Sequence, residues 1–254
     1  MFVDFHCHTK ISFDGFTTYK ELLKACKIKN ISAIAITEHD KLDLKAKSYF
    51  NKYGLDIITG CEFTTDLGAH VIGLFIEEAI PKKNDIESIL NYILSQNGLV
   101  LIPHPFKDKT GILKIYENIN FLNKCHLIEL VNGGIKETRK EKNQIVSIAK
   151  KYDLKTVSGS DSHKVNQVGY YVNYYECKQT NLYKIIKEQK PIIYYDSSYK
   201  SPPRKIYQLQ KTFFYKNLLK IISPKIRRYI KLFLYFAINS KPKIQKPTYK
   251  ELDT

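Results

Sequence analysis

The chain has 254 residues, a length for one sizeable domain or one domain with an appendage. Its 43% apolar content suits a globular protein with a core, and five cysteines without a C-x-x-C pair argue against a disulfide framework and for a reducing compartment. The net charge of +16 is uneven: residues 196–254 hold 14 of the 41 Lys/Arg and 3 of the 25 Asp/Glu, which leaves the preceding body near neutral.

The opening MFVDFHCHTK lacks the basic and apolar regions of a secretory signal and reads as a strand over 2–6. Thr18 and Glu21 have capping-box spacing ahead of Tyr19, Leu22, Leu23 and Cys26, which predicts a helix over 19–29. Buried strands are expected over 31–37 and 55–62, with 69–76 pairing beside the second. Asn84 is expected to cap a helix carrying Ile86, Ile89, Leu90, Ile93 and Leu94, ended by Gly98. Strands over 99–103 and 127–131, a helix over 137–152 and a strand over 155–160 follow. Strands over 169–173 and 191–195, with a helix near 181–188 between them, close the set. This β-α-β-α order implies parallel strands covered by helices, hence an α/β fold as a small, irregular (β/α) barrel, with an open doubly wound sheet as the alternative. The composition shift and the DSSYKSPP stretch divide the chain into a body, 1–195, and a basic segment, 196–254.

Six of the seven histidines fall at a predicted strand end or hairpin start: His6, His8, His39, His70, His104 and His163. The carboxylates Asp14, Glu62 and Asp161 lie among them. In parallel α/β folds the C-terminal strand ends converge, so residues distant in sequence meet there. His6 and His8 are two apart on an extended segment, which turns both imidazoles to one side, and Asp161 and His163 repeat that spacing. A set of imidazoles and carboxylates without paired Cys suits Zn, Mn or Fe at a catalytic site better than structural zinc. His126 precedes its strand and reads as structural. Asp4 and Asp40 are candidates to orient ligating imidazoles.

In order, the motifs DFHCHT, SFDG, ITEHD, GCEF, HVIG, IPHPF and SGSDSH resemble those of the PHP superfamily (polymerase and histidinol phosphatase domain), over about residues 1–175. The resemblance implies a distorted, TIM-like (β/α) barrel of seven strands with a di- or trinuclear metal centre. It places one ion on His6, His8, Glu62 and Asp161, a second on Glu62, His70 and His104, and a third on Asp14, His39 and His163. The expected reaction is hydrolysis of a phosphoester, from a small metabolite or a nucleotide, by metal-activated hydroxide. Asp161 and His104 are candidates to move a proton, and Lys107, Arg139 and Lys164 to contact substrate phosphate. Glu129 and Asn132 are expected to line the pocket without ligating. The short interval from His70 to His104, where oligonucleotide-degrading relatives often carry an insertion, disfavours nucleic acid. A phosphatase in polysaccharide production, acting on phosphotyrosine among other esters, and a non-catalytic metal-binding regulator are the alternatives.

Residues 206–239 mix aromatic, aliphatic and basic side chains, divided by Ser223-Pro224 into two predicted helices. No uncharged run there approaches the ~20 residues needed to span a bilayer. The expectations are helices docked on the body, an anionic membrane surface, a protein partner or electrostatic contact with nucleic acid, in a cytoplasmic protein that can lie peripherally on a membrane.

Overall fold

A computed structural model describes residues 1–78, 84–176, 181–199 and 244–252. Five β-strands with intervening helices come first: β1 (Phe2–Cys7), α1 (Tyr19–Ile28), β2 (Ile31–His39), α2 (Leu44–Asn51), β3 (Asp56–Thr64), β4 (His70–Leu74), α3 (Ile86–Ser95) and β5 (Leu99–Ile102). A short helix, α4 (Ile112–Ile115), and a 3₁₀ turn (Asn120–Lys124) lead to β6 (Leu127–Asn132), α5 (Arg139–Lys151) and β7 (Lys155–Gly159). Then come β8 (Tyr171–Tyr174), α6 (Leu182–Glu188), β9 (Ile192–Asp196) and β10 (Tyr249–Glu251).

All ten strands form one sheet in the order β10-β9-β8-β1-β2-β3-β4-β5-β6-β7. β1–β2–β3 and β5–β6–β7 are parallel, as the sequence predicts, and each crossover carries a helix, of which α1 and α5 match predicted ones while α2 and α4 do not. β4 is antiparallel to both neighbours. Only residues 65–69 separate it from β3, too short for a parallel crossover. The fold is thus α/β, with a curled, half-barrel sheet. Ten strands stand among the described residues where seven were expected, because β8, β9 and β10 extend the sheet from the other side of β1. The curl brings the outgoing ends of β1 and β7 together: Cys7 pairs with Ser162, and the His8 N–H donates to the Ser162 carbonyl at 2.9 Å. Lower down, Asn173 of β8 fills the gap, its amide donating to the Val3 and Ser158 carbonyls while its oxygen accepts from the Ser158 N–H.

Thr18 and Glu21 form the expected capping box. A second box, Thr138 with Glu141, starts α5 two residues later than predicted. Asp85, not Asn84, caps α3, because the Asn84 carbonyl accepts from the Asp66 N–H of the neighbouring loop. α3 also ends earlier than Gly98: Asn97 takes the left-handed position (φ 56°) and the Gly98 N–H closes back on the Ile93 carbonyl.

The interior of the curl is apolar below and polar above. Val3, Phe5, Ala33, Ala35, Ile58, Ile72, Leu99, Leu101, Leu127 and Val157 pack together. On β2, β3 and β6 the same face, two or four residues on, carries His39, Glu62 and Glu129. β1 has a register irregularity between Asp4 and Cys7, so that His6 reaches the interior that Val3 and Phe5 line below it, while Cys7 packs with Ile34 and Ile36 outside.

The basic segment is held at both ends. Its start, Ser197, donates to the Thr248 carbonyl, and β10 pairs antiparallel with β9. Buried Lys29 bonds Asp196 at 3.2 Å, and Asp196 also accepts from the backbone of Ser198 and Thr248. The two predicted helices of 206–239 lie outside the described residues. Among the described residues, no helix is long and apolar enough to cross a membrane.

Candidate metal centre

Glu62, at the end of β3 and 1% exposed, is the hub of the upper interior. Its Oε2 lies 3.3 Å from His6 Nε2, 3.3 Å from His8 Nε2 and 3.1 Å from His39 Nδ1. Its Oε1 lies 2.8 Å from His70 Nδ1 and 3.0 Å from His104 Nε2. Asp161 Oδ1 adds a second carboxylate 3.5 Å from both His6 and His8 Nε2. Asp14 Oδ2 adds a third, 3.1 Å from His163 Nε2 and 3.5 Å from His39 Nε2. All nine residues singled out in the sequence therefore sit in one connected cluster.

Asp161 and His163 arrive by a different local route from the one predicted. Asp161 has φ 47°, so it and His163 turn inward from a left-handed bend rather than along an extended strand. His104, between its prolines, has φ 28° and donates its backbone N–H to Glu129 at 2.7 Å.

The surrounding layer differs from expectation. Asp4 and Asp40 hold backbone rather than imidazoles. Asp4 accepts from the N–H groups of His6, Ser160 and Gly169, and Asp40 from the N–H and hydroxyl of Thr64. The imidazole partners are Glu129 and Ser12. Glu129 Oε1 lies 3.0 Å from His6 Nδ1, and Oε2 accepts from His104 N–H and Asn132 Nδ2. Ser12 Oγ lies 3.2 Å from His8 Nδ1. Glu38 fixes the loop after β1, accepting from the N–H and hydroxyl of Thr9 and from the Ser12 N–H at 2.8 Å. A detectable signal existed for both glutamates: each lies in an otherwise apolar, buried strand, where a carboxylate requires partners. Gly159 makes room for Glu129, since a Cβ there would stand 2.1 Å from Oε1.

Burial works against ionising Glu62, but the charges of His70, His6 and His39 and the bond from His104 hold its carboxyl well below the usual range. Asp161 is likewise buried yet held low, by His6 and Lys107. Burial opposes a proton on His6, and the carboxylates of Asp161, Glu62 and Glu129 together override it and raise its pKa. Burial lowers that of His104.

The donor set fits divalent ions on its own geometry. His6, His8 and Asp161 present ligand atoms within 4.8 Å of one another, as do His6, Glu62 and His104, then His39, Glu62 and His70, and also His8, His39 and His163. His6 and His8 aim Nε2 at each other across 3.1 Å, and with Glu129 on its Nδ1, His6 has Nε2 left for the shared space. His104 Nδ1 and Asp14 Oδ1 are buried without a hydrogen-bond partner. Of the expected phosphate contacts, Lys107 reaches the cluster, its Nζ 2.9 Å from Asp161 Oδ2. Arg139 is exposed at the first turn of α5, and Lys164 is half-buried beside His163. His126 stands apart, its Nδ1 accepting from the Val100 N–H.

A family model described as PHP domain matches residues 4–253. The chain belongs to the PHP domain family. The family match runs through the basic segment to the C-terminal strand. Two uncharacterized proteins of Methanocaldococcus jannaschii are 33% identical over 174 and 118 residues, 66% and 42% of this chain and 68% of each relative. Solved structures share its fold. A two-domain protein of Bacteroides vulgatus containing a predicted PHP-like metal-dependent phosphoesterase gives a TM-score of 0.64 at 19% identity, over 77% of this chain and 64% of that one. The lesion-specific endonuclease Q of Pyrococcus furiosus gives 0.59 at 18%, over 74% and 55%. This PHP chain thus spans less than two thirds of the length of either structure.

Proposed function

We propose that this PHP protein hydrolyses a phosphoester, of a small phosphorylated metabolite or a nucleotide, with two or three divalent ions (Mn, Zn or Fe) on His6, His8, Asp14, His39, Glu62, His70, His104, Asp161 and His163. The observation that carries the reading is the Glu62-centred cluster, where buried and half-buried imidazoles and carboxylates from seven segments converge. Ions bound there supply Lewis-acid charge neutralisation and acidify a water from 15.7 towards about 7.

The chain's own groups do the rest. Glu129 and Ser12 keep Nε2 of His6 and His8 facing inward. Lys107, 29% exposed and bonded to Asp161, has an ammonium that can bind a phosphate oxygen. Asp161 and His104, both held below their ordinary pKa, are the candidates to accept a proton beside the reacting phosphate. Arg139 and Lys164 stay candidates for more distant parts of a substrate. Residues 1–195 serve as the phosphoesterase domain, and the basic segment 196–254 as a place for a partner or anionic surface.

Turnover of p-nitrophenyl phosphate and a panel of phosphorylated metabolites, by protein loaded with manganese or stripped by chelator, tests this. His8→Ala and Asp161→Asn are expected to lower turnover by orders of magnitude, whereas His126→Ala keeps it. Metal-loaded protein inert towards every phosphoester, or full activity in His8→Ala, would overturn the reading.

A further inference from the structure

Phe13 is 67% exposed, the highest value among the exposed large hydrophobic side chains described. A lone exposed apolar residue is ordinary on a protein surface. Phe13 differs in where it stands and how firmly. Its ring stacks on His39, with centroids 5.1 Å apart and planes 30° from parallel, and His39 in turn touches Glu62 and Asp14. The ring therefore forms the outer layer of a stack that starts in the cluster: His8 on His39 at 4.5 Å, then Phe13 on His39.

The loop beneath it is pinned. Next to Phe13, the Ser12 N–H bonds Glu38 and the Ser12 hydroxyl lies against His8. Beyond it, Gly15 donates to the Ser12 carbonyl and Phe16 to the His163 carbonyl. Gly15 passes so close to Thr9 that a Cβ would stand 1.8 Å from its carbonyl oxygen, so the turn keeps this shape only with glycine. A fixed aromatic face is thus presented to solvent at the rim of the centre.

Resting on the phosphoesterase reading, we propose that Phe13 is a specificity-determining residue: its exposed face stacks the planar base of a nucleoside phosphate whose phosphate sits at the Glu62 cluster. A base is separated from its phosphate by a ribose, which suits a platform one ring outward from His39. An aryl group esterified directly to phosphate would lie deeper. Stacking on an aromatic side chain is worth about 1–3 kcal/mol per base, roughly fivefold to 150-fold in binding.

The chain contains no tryptophan, so Phe13→Trp installs a single indole reporter. In metal-loaded Phe13→Trp, adenosine 5′-monophosphate is expected to quench indole emission at concentrations where ribose 5-phosphate and phenyl phosphate do not. In Phe13→Ala, the ratio of kcat/KM for adenosine 5′-monophosphate over ribose 5-phosphate is expected to fall at least about fivefold, with Phe13→Tyr restoring it. If calorimetry shows that the wild type binds both esters equally and the indole is not quenched, the stacking role is refuted alone. Quenching by phenyl phosphate as strong as by the nucleotide also refutes the base assignment. A metal-loaded protein that binds none of these esters refutes the phosphoesterase reading, and this inference with it.

Discussion

Glu129→Gln changes one atom and sets two demands against each other. Glu129 is fully buried and offers one oxygen to His6 Nδ1 and the other to two donors, the His104 N–H and the Asn132 amide. A glutamine keeps one acceptor and gains a donor. Turned with its NH₂ towards His104 and Asn132, it sets donors against donors, at about 1–3 kcal/mol for each buried group left unsatisfied. Turned the other way, it presents NH₂ to His6 Nδ1, which can accept only by giving up its proton. The proton of neutral His6 then sits on Nε2, the atom that faces His8, Glu62 and Asp161. The second arrangement is the cheaper fold and the poorer metal site. Replacing such a partner of a ligating histidine typically costs 10–100-fold in metal affinity. Stability is expected to fall by about 1–3 kcal/mol, or roughly 2–12 °C in Tm at this chain length. Zinc titration calorimetry reads the affinity, and ¹⁵N shifts of labelled histidine read whether His6 Nδ1 carries a proton. Unchanged zinc affinity with Nδ1 still protonated in Glu129→Gln would refute the reasoning.

Other expectations follow from the same packing. Burial, seconded by the charge of Glu129, pushes the Glu137 carboxyl up to about 8. Because the folded pKa exceeds the unfolded value near 4.5, the stability this group permits is present below pH ~4.5 and lost as pH rises through about 8. Glu137→Gln is therefore expected to raise Tm more at pH 9 than at pH 5, and an equal rise at both contradicts the assignment. Asp196→Ala leaves Lys29 buried without its carboxylate, which typically costs about 3–5 kcal/mol. Thermal melts should show that loss and hydrogen exchange a deprotected β10, while wild-type protection of residues 249–251 would count against the latch. Gly159→Ala forces Glu129 off His6, so it should weaken zinc binding as Glu129→Gln does, and calorimetry showing wild-type affinity would deny that crowding.

The site was legible because its chemistry is punctuated at strand ends. His6, His39, Glu62 and His70 stand where apolar strands begin or stop, and the curl of the sheet brings those ends together. What holds these residues was less legible. Glu129 and Glu38 lie inside buried strands, and only the tertiary pairing of β6 with β7 and the path of the loop after β1 show what each one binds. Asp4 looked like an imidazole partner because of its position, yet it serves three backbone amides from two loops and its own strand. α2 escaped notice because Leu44–Asn51 buries only Ala46 and Phe50, too narrow an apolar stripe to show a period. β10 is three residues in a polar, basic stretch, and the partner that makes it a strand lies about fifty residues earlier. The change to antiparallel pairing at β4 was foreshadowed only by the short link from β3.

Anomalous diffraction from crystals of zinc-loaded protein tests the central claim most directly. Two or three peaks are expected inside the curl, about 2.0–2.2 Å from ligand atoms of His6, His8, Glu62, Asp161 and their neighbours. Zinc found only on surface residues, with the Glu62 cluster free of anomalous density, would contradict it.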